Sequence, residues 1–135
     1  MKILLLQLGI FLCLVFPFKL SAQTTISPEN LSKITFVYGE SWVQDNPDIV
    51  IALNNLLENR ISIVNENLSS DEKFPNITTL PLFNKLNPSV SPTNFETFVV
   101  EDFNPLTYYF DFFTNKTQVF RLGGSSYIMI VQPSR

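Results

Sequence analysis

The hydrophobic pattern divides the chain into an apolar leader, two folded-looking ends and an irregular middle. In 33–38, Ile34, Phe36 and Tyr38 alternate with Thr35 and Val37, the period of a β-strand, until Gly39 interrupts it. A helical period follows over 47–59, where Ile49, Val50, Leu53, Leu56 and Leu57 recur at spacings of three and four. Asn46 is a favourable N-cap, Pro47 suits the first helical position, and Asp48 complements the positive end of the helix dipole. That apolar face predicts docking on a sheet, with Asn54, Asn55 and Glu58 on the opposite side. Ile61 and Ile63 alternate about Ser62 as a short strand.

The C-terminal forty residues read as strands. Residues 95–100 alternate, and 106–113 place Leu106, Tyr108, Phe110 and Phe112 on one face and Thr107, Tyr109 and Asp111 on the other. A helix fits 106–113 as well, capped by Asn104 and Pro105 and with Leu106, Tyr109, Phe110 and Phe113 on its apolar face. Aromatic enrichment favours the strand. Residues 117–122 and 125–132 flank Gly123-Gly124, the pattern of a two-residue hairpin with both central residues at positive φ. That turn sets Phe120 opposite Tyr127 and Val119 opposite Ile128. Residues 127–131 are apolar on both faces, as an interior strand requires.

Between these ends, 65–94 carries Pro75, Pro81, Pro88 and Pro92 among many Asn and Ser, which discourages regular elements. Phe74, Ile77, Leu80, Leu82, Phe83, Leu86 and Val90 make it too apolar for a disordered linker, so it reads as an irregular loop over the core, with room for one short strand. The expected architecture is α+β: a mainly antiparallel sheet of about five strands, with one principal helix packed on one face, in a single small domain over 23–135.

Residues 1–22 have the anatomy of a signal peptide: Lys2 as a positive start, an apolar run over 3–16 broken by Gln7, and Ser21-Ala22 before a cut. The run falls short of the ~20 apolar residues that a spanning helix needs, and Pro17 and Lys19 close it. Contact with a membrane is expected only through an uncleaved signal, a reading that Leu20 near the cut leaves open. Cys13 lies inside the apolar run after Leu12, so it does not read as a lipidation site. Removal of the leader leaves 113 residues with seven basic and twelve acidic groups, a net charge of minus five. Such a chain, with its basic residues scattered, is repelled by phosphate backbones, and nucleic-acid binding is not expected.

The segments "LPLFNK" at 80–85, "FNPLTYYFDFF" at 103–113 and "VFRLGGSSYIMIVQP" at 119–133, following the helix, resemble small exported uncharacterised proteins of flavobacteria and their relatives. The resemblance rests on structural residues. It implies a Gram-negative origin and export across the inner membrane, and it carries over no activity and no functional residue.

Histidine is absent and the one cysteine lies in the leader, which excludes Ser-His-Asp and Cys-His catalysis and His or Cys metal sites from the mature chain. Carboxylate chemistry remains, with Asp45 and Asp48, Asp71-Glu72 and Glu101-Asp102 as the acidic groups. Asp45 and Asp48 read more simply as helix-end residues, and the others as solvated. Neither Asp45, Asn46 and Asp48 nor Glu101, Asp102 and Asn104 matches a calcium loop, so no metal and no cofactor are expected. Gly123-Gly124 lacks the Lys and following helix of a phosphate loop. Asn-x-Ser/Thr sequons at Asn30, Asn67, Asn76 and Asn115 are what an Asn-rich chain contains by chance.

Aromatic residues give the positive signal. Phe fills the core of a domain without disulfides, but Trp42, Tyr108 and Tyr109 have the apolar body and polar tip suited to a binding patch. The expected function is an exported, non-enzymatic protein of the periplasm or cell surface that binds a protein, small-molecule or glycan partner. The alternative is a small carboxylate-dependent hydrolase acting on envelope polymers.

Overall fold

Ser27, Pro28 and Glu29 start a helix. In the computed structural model, which describes residues 25–66 and 74–134, the Ser27 side chain accepts the Asn30 N–H at 3.1 Å and Pro28 opens α1, Pro28–Tyr38. The leader, the Asp71-Glu72 step and the sequon at Asn67 lie outside the described residues. α1 overturns the strand expected over 33–38. Ile34, Val37 and Tyr38 are buried at spacings of three and four, whereas Phe36 is 48% exposed. Gly39, at φ 84°, ends α1 and donates its N–H to Thr35 O, a backbone conformation that a side chain would strain.

The short α2, Glu40–Asp45, leads into α3, Pro47–Asn55. The Asn46 side chain does not cap α3; its Nδ2 donates to Trp42 O at 2.8 Å and ties α2 to the next helix. Val50, Leu53 and Leu56 are buried as expected, but Ile49 and Ile51 are exposed and Asn54 is only 1% exposed. The buried stripe is turned because α3 packs against α1. Asn54 Oδ1 there accepts from Asn30 Nδ2 at 3.0 Å, while Asn54 Nδ2 has no hydrogen-bond partner among the described residues. A single π turn, Leu56–Arg60, closes the helix with the Ile61 N–H on Leu56 O. β1, Ile61–Asn65, begins at the next residue.

β2, Gln118–Arg121, and β3, Tyr127–Val131, complete an antiparallel sheet in the order β1-β3-β2. The architecture is α+β, but among the described residues it has three strands rather than about five, and three helices rather than one principal helix. Residues 95–100 form no strand: Phe95–Thr97 is a 3₁₀ turn. Residues 106–113 are neither strand nor helix, since Pro105–Thr107 is a second 3₁₀ turn and only an isolated bridge joins Tyr108 to Leu82. β3 is central, as its two apolar faces require, with Met129 and Val131 in the main core.

The hairpin pairs Phe120 with Met129 and Val119 with Ile130, a shift of two residues from the expected register. Side-chain direction has a period of two, so every residue keeps its face. Ser125 explains the longer loop: its Oγ donates to Leu122 O and accepts the Tyr127 N–H, while its own N–H bonds Leu122 O. Gly123 alone of the two glycines has positive φ, 60°. A Cβ there would collide with the Phe95 ring.

The described part of the middle segment, and the stretch leading to β2, are ordered by a repeated device. The side-chain oxygens of Asn76, Asn87, Asn94, Asn104 and Asp111 each accept the backbone N–H two residues on, at 2.9 to 3.1 Å. Three of these asparagines also donate Nδ2 to a distant carbonyl: Asn76 to Gly123, Asn87 to Phe36, and Asn104 to Lys33. Ile77, Phe103, Leu106, Tyr108 and Phe110 between them enter the same core as α1, α3 and the sheet.

Asparagine is needed over aspartate only where Nδ2 is used. Asn94→Asp should therefore leave stability within about 0.5 kcal/mol, whereas Asn76→Asp and Asn104→Asp each lose a buried-side bond and should cost about 1–2 kcal/mol in urea unfolding. Equal losses at all three positions would show that the donor bonds contribute nothing.

Candidate functional site

Tyr38 and Trp42 are four residues apart across the α1–α2 junction, the separation that stacks side chains on successive helical turns. Their ring centroids are 4.2 Å apart and their planes are inclined by 26°, a stacked arrangement. Phe83 lies 5.0 Å from Tyr38 on the next side, and Tyr109 follows at 6.0 Å, its plane within 1° of that of Phe83. The result is a row of four rings: Trp42, Tyr38, Phe83, Tyr109.

Backbone pairing places the outer half of this row. The Phe83 N–H donates to Thr107 O and the Tyr109 N–H to Pro81 O, both at 2.8 Å, on either side of the Leu82–Tyr108 bridge. Extended backbone then sends adjacent side chains to opposite sides. Tyr109 is 62% exposed, while Tyr108 is 1% exposed and its hydroxyl accepts the Thr93 N–H at 3.0 Å. Of the three aromatics singled out in the sequence, Trp42 and Tyr109 are thus brought into one row and Tyr108 is removed from it to the core. Trp42 is half-buried. Tyr38 and Phe83 are the members that the sequence did not single out. The signal for Tyr38 was its i, i+4 spacing from Trp42, visible only if 33–38 is read as helix.

Each of the ten described carboxylate side chains is exposed, and among the described residues no three acidic groups gather to hold a metal ion. The ion pair between Lys33 and Glu29, at 2.8 Å, holds the exposed Glu29 carboxyl below its ordinary range, through the hydrogen bond first and the lysine charge second. The larger perturbation is in the row itself. Burial pushes the Tyr38 phenol from 10 up to about 12.

That shift sets a pH dependence. The raised value stabilises the fold fully below pH 10, where the unfolded phenol is still protonated, and the contribution disappears as pH rises through about 12. Unfolding stability should fall between pH 10 and 12, and Tyr38→Phe, which keeps the ring but has no ionisable hydroxyl, should flatten that part of the profile. An unchanged slope in the variant would assign the loss to other groups. Compared with protein families, with curated proteins and with solved structures, the chain matches none, and a functional reading rests on the geometry of the aromatic row.

Proposed function

We propose that this is an exported, non-enzymatic binding protein of the periplasm or cell surface, and that the aromatic row is where a protein partner docks. The observation that carries the proposal is Tyr109, an exposed ring held on an ordered backbone and stacked on Phe83. Tyrosine and tryptophan contribute large contact areas at little conformational cost and dominate interface energetics. Tyr109 has its backbone already bonded to Pro81 and its ring already packed, so little freedom remains to be lost on binding. The signal-like leader supports export. An excess of exposed carboxylates over basic groups favours a partner with a basic rim, which would raise the association rate at low salt.

Trp42 is the only tryptophan and sits at the inner end of the row, so its fluorescence reports on the site directly. Peptides selected from a random displayed library against the folded domain should shift that emission. Tyr109→Ala should weaken them about tenfold or more while leaving the melting temperature within a few degrees. Selected peptides that bind the variant equally well would overturn the assignment. Export has its own check: fractionated cells should yield a mature N-terminus at Gln23 outside the cytoplasm, and an uncut cytoplasmic chain would contradict it.

A further inference from the structure

A second concave region lies away from the aromatic row, between the C-terminal end of α3 with its π turn and the segment after β3. It is a cleft of about 790 Å³, within the ~300–1,000 Å³ usual for small-molecule sites. Ala52, Asn55 and Asn59 form one wall, at spacings of three and four along the helix. Arg60, Gln132 and the ring of Phe113 are among the groups on the other sides. Among the described residues this lining holds one cation and no carboxylate, where exposed charge is otherwise mostly acidic.

The backbone around the cleft is already committed. The Gln132 N–H donates to Arg60 O at 2.7 Å, and Arg60 returns Nε and Nη2 to Gln132 O at 3.0 and 2.9 Å. Ser134 donates its N–H to Thr114 O and its hydroxyl to Phe113 O and Thr114 O. Strand addition by a peptide needs free main-chain groups, and the Gln132 N–H and carbonyl and the Ser134 N–H are used internally. A ligand here is met by side chains.

Those side chains have a common chemistry. Asn59 Nδ2 donates to Asn55 Oδ1 at 2.8 Å, which orients the pair and leaves Asn55 Nδ2 as a donor beside Asn59 Oδ1 as an acceptor. A hydroxyl group both donates and accepts, so adjacent hydroxyls on one molecule match that pair. The Phe113 ring is 54% exposed, although its backbone is fixed at both sides: its N–H bonds Asp111 Oδ1 and its carbonyl bonds Ser134. An aromatic face is electron-rich and attracts weakly positive C–H groups. A ring carrying axial C–H bonds on its face and hydroxyls on its rim satisfies both requirements. π turns recur at functional sites, and here the turn carries Asn59 and Arg60 into the lining.

We propose that this cleft is a saccharide site, in which a pyranose ring stacks on Phe113 while its hydroxyls pair with Asn55, Asn59 and Gln132. It is independent of protein docking at Tyr109, because the two residue sets do not overlap. The test uses the folded domain against an array of neutral and uronate-containing di- to tetrasaccharides, followed by calorimetric titration of each hit. Binding of at least one saccharide is expected, weakened tenfold or more by Phe113→Ala and by Asn59→Ala, and unchanged by Tyr109→Ala. Thermal melts of each variant separate lost contacts from lost folding, and Asn55→Asp, which retains Oδ1 and removes the Nδ2 donor, provides a gentler probe. Hits that survive both Phe113→Ala and Asn59→Ala in folded protein would overturn the site, as would an array without hits. If saccharide binding fails while Tyr109-dependent peptide binding holds, only the cleft assignment falls.

Discussion

The side-chain amides of a few asparagines substitute for regular secondary structure in this protein. Each Asx turn at Asn76, Asn87, Asn94 and Asn104 captures a backbone N–H locally. Three of the four then reach across the molecule to a carbonyl on another element. A segment that crosses the core without a ladder or helix must otherwise leave buried polar backbone unpaired, at a cost of about 1–3 kcal/mol per group. Asparagine supplies donor and acceptor from one side chain, so the same residue shapes the turn and fixes its position. Asn76 illustrates this most fully: its oxygen accepts from Thr78 and from the Gly123 N–H, and its nitrogen donates to Gly123 O. The β2–β3 loop and the middle segment are thereby one structural unit.

What the sequence revealed follows the range of the interactions concerned. The α+β class, the helix starting at Pro47 and the strand pair around Gly123-Gly124 depend on neighbours within a few residues, and they were legible. α1 was misread because six residues can satisfy periods of two and of 3.6 together; the Ser27-Pro28-Glu29 start, lying just upstream, is what separates them. The hairpin register turned on Ser125, whose side chain lengthens the loop through two bonds of its own. The stretch 95–113 has the alternation of strands without neighbouring strands to pair with. Its burial nonetheless follows that alternation from Tyr108 to Asp111, with Tyr108 and Phe110 buried and Tyr109 and Asp111 exposed, whereas Thr107 is buried beside Leu106. At the candidate site, Trp42 and Tyr109 were recognisable by residue type, but Phe83 enters the row through pairing of its backbone with Thr107, a contact that no local pattern encodes.

The stretch 108–113 links the proposed docking row to the proposed saccharide cleft. Tyr108 packs toward Phe103 in the core, Tyr109 ends the exposed row, Phe110 meets Phe112 and Phe120 under the sheet, and Phe113 stands in the cleft. Anchored and displayed side chains alternate along this stretch, which is extended at Tyr108 and turns at Phe112-Phe113. Its buried rings hold the backbone so that its exposed rings keep their orientation, which is the arrangement that preorganised contact requires.

The order β1-β3-β2 has a consequence in time. Among the described residues β1 pairs only with β3, and the paired residues are 62 to 70 positions apart in the chain. A chain emerging from its N-terminus can form α1 to α3 early, but β1 has no edge to join until β3 has emerged. Closing so long a loop is slow compared with local structure formation. The topology therefore acts as a delay: β1 stays an unpaired segment until β3 is available, so the sheet is the last part of the fold to assemble.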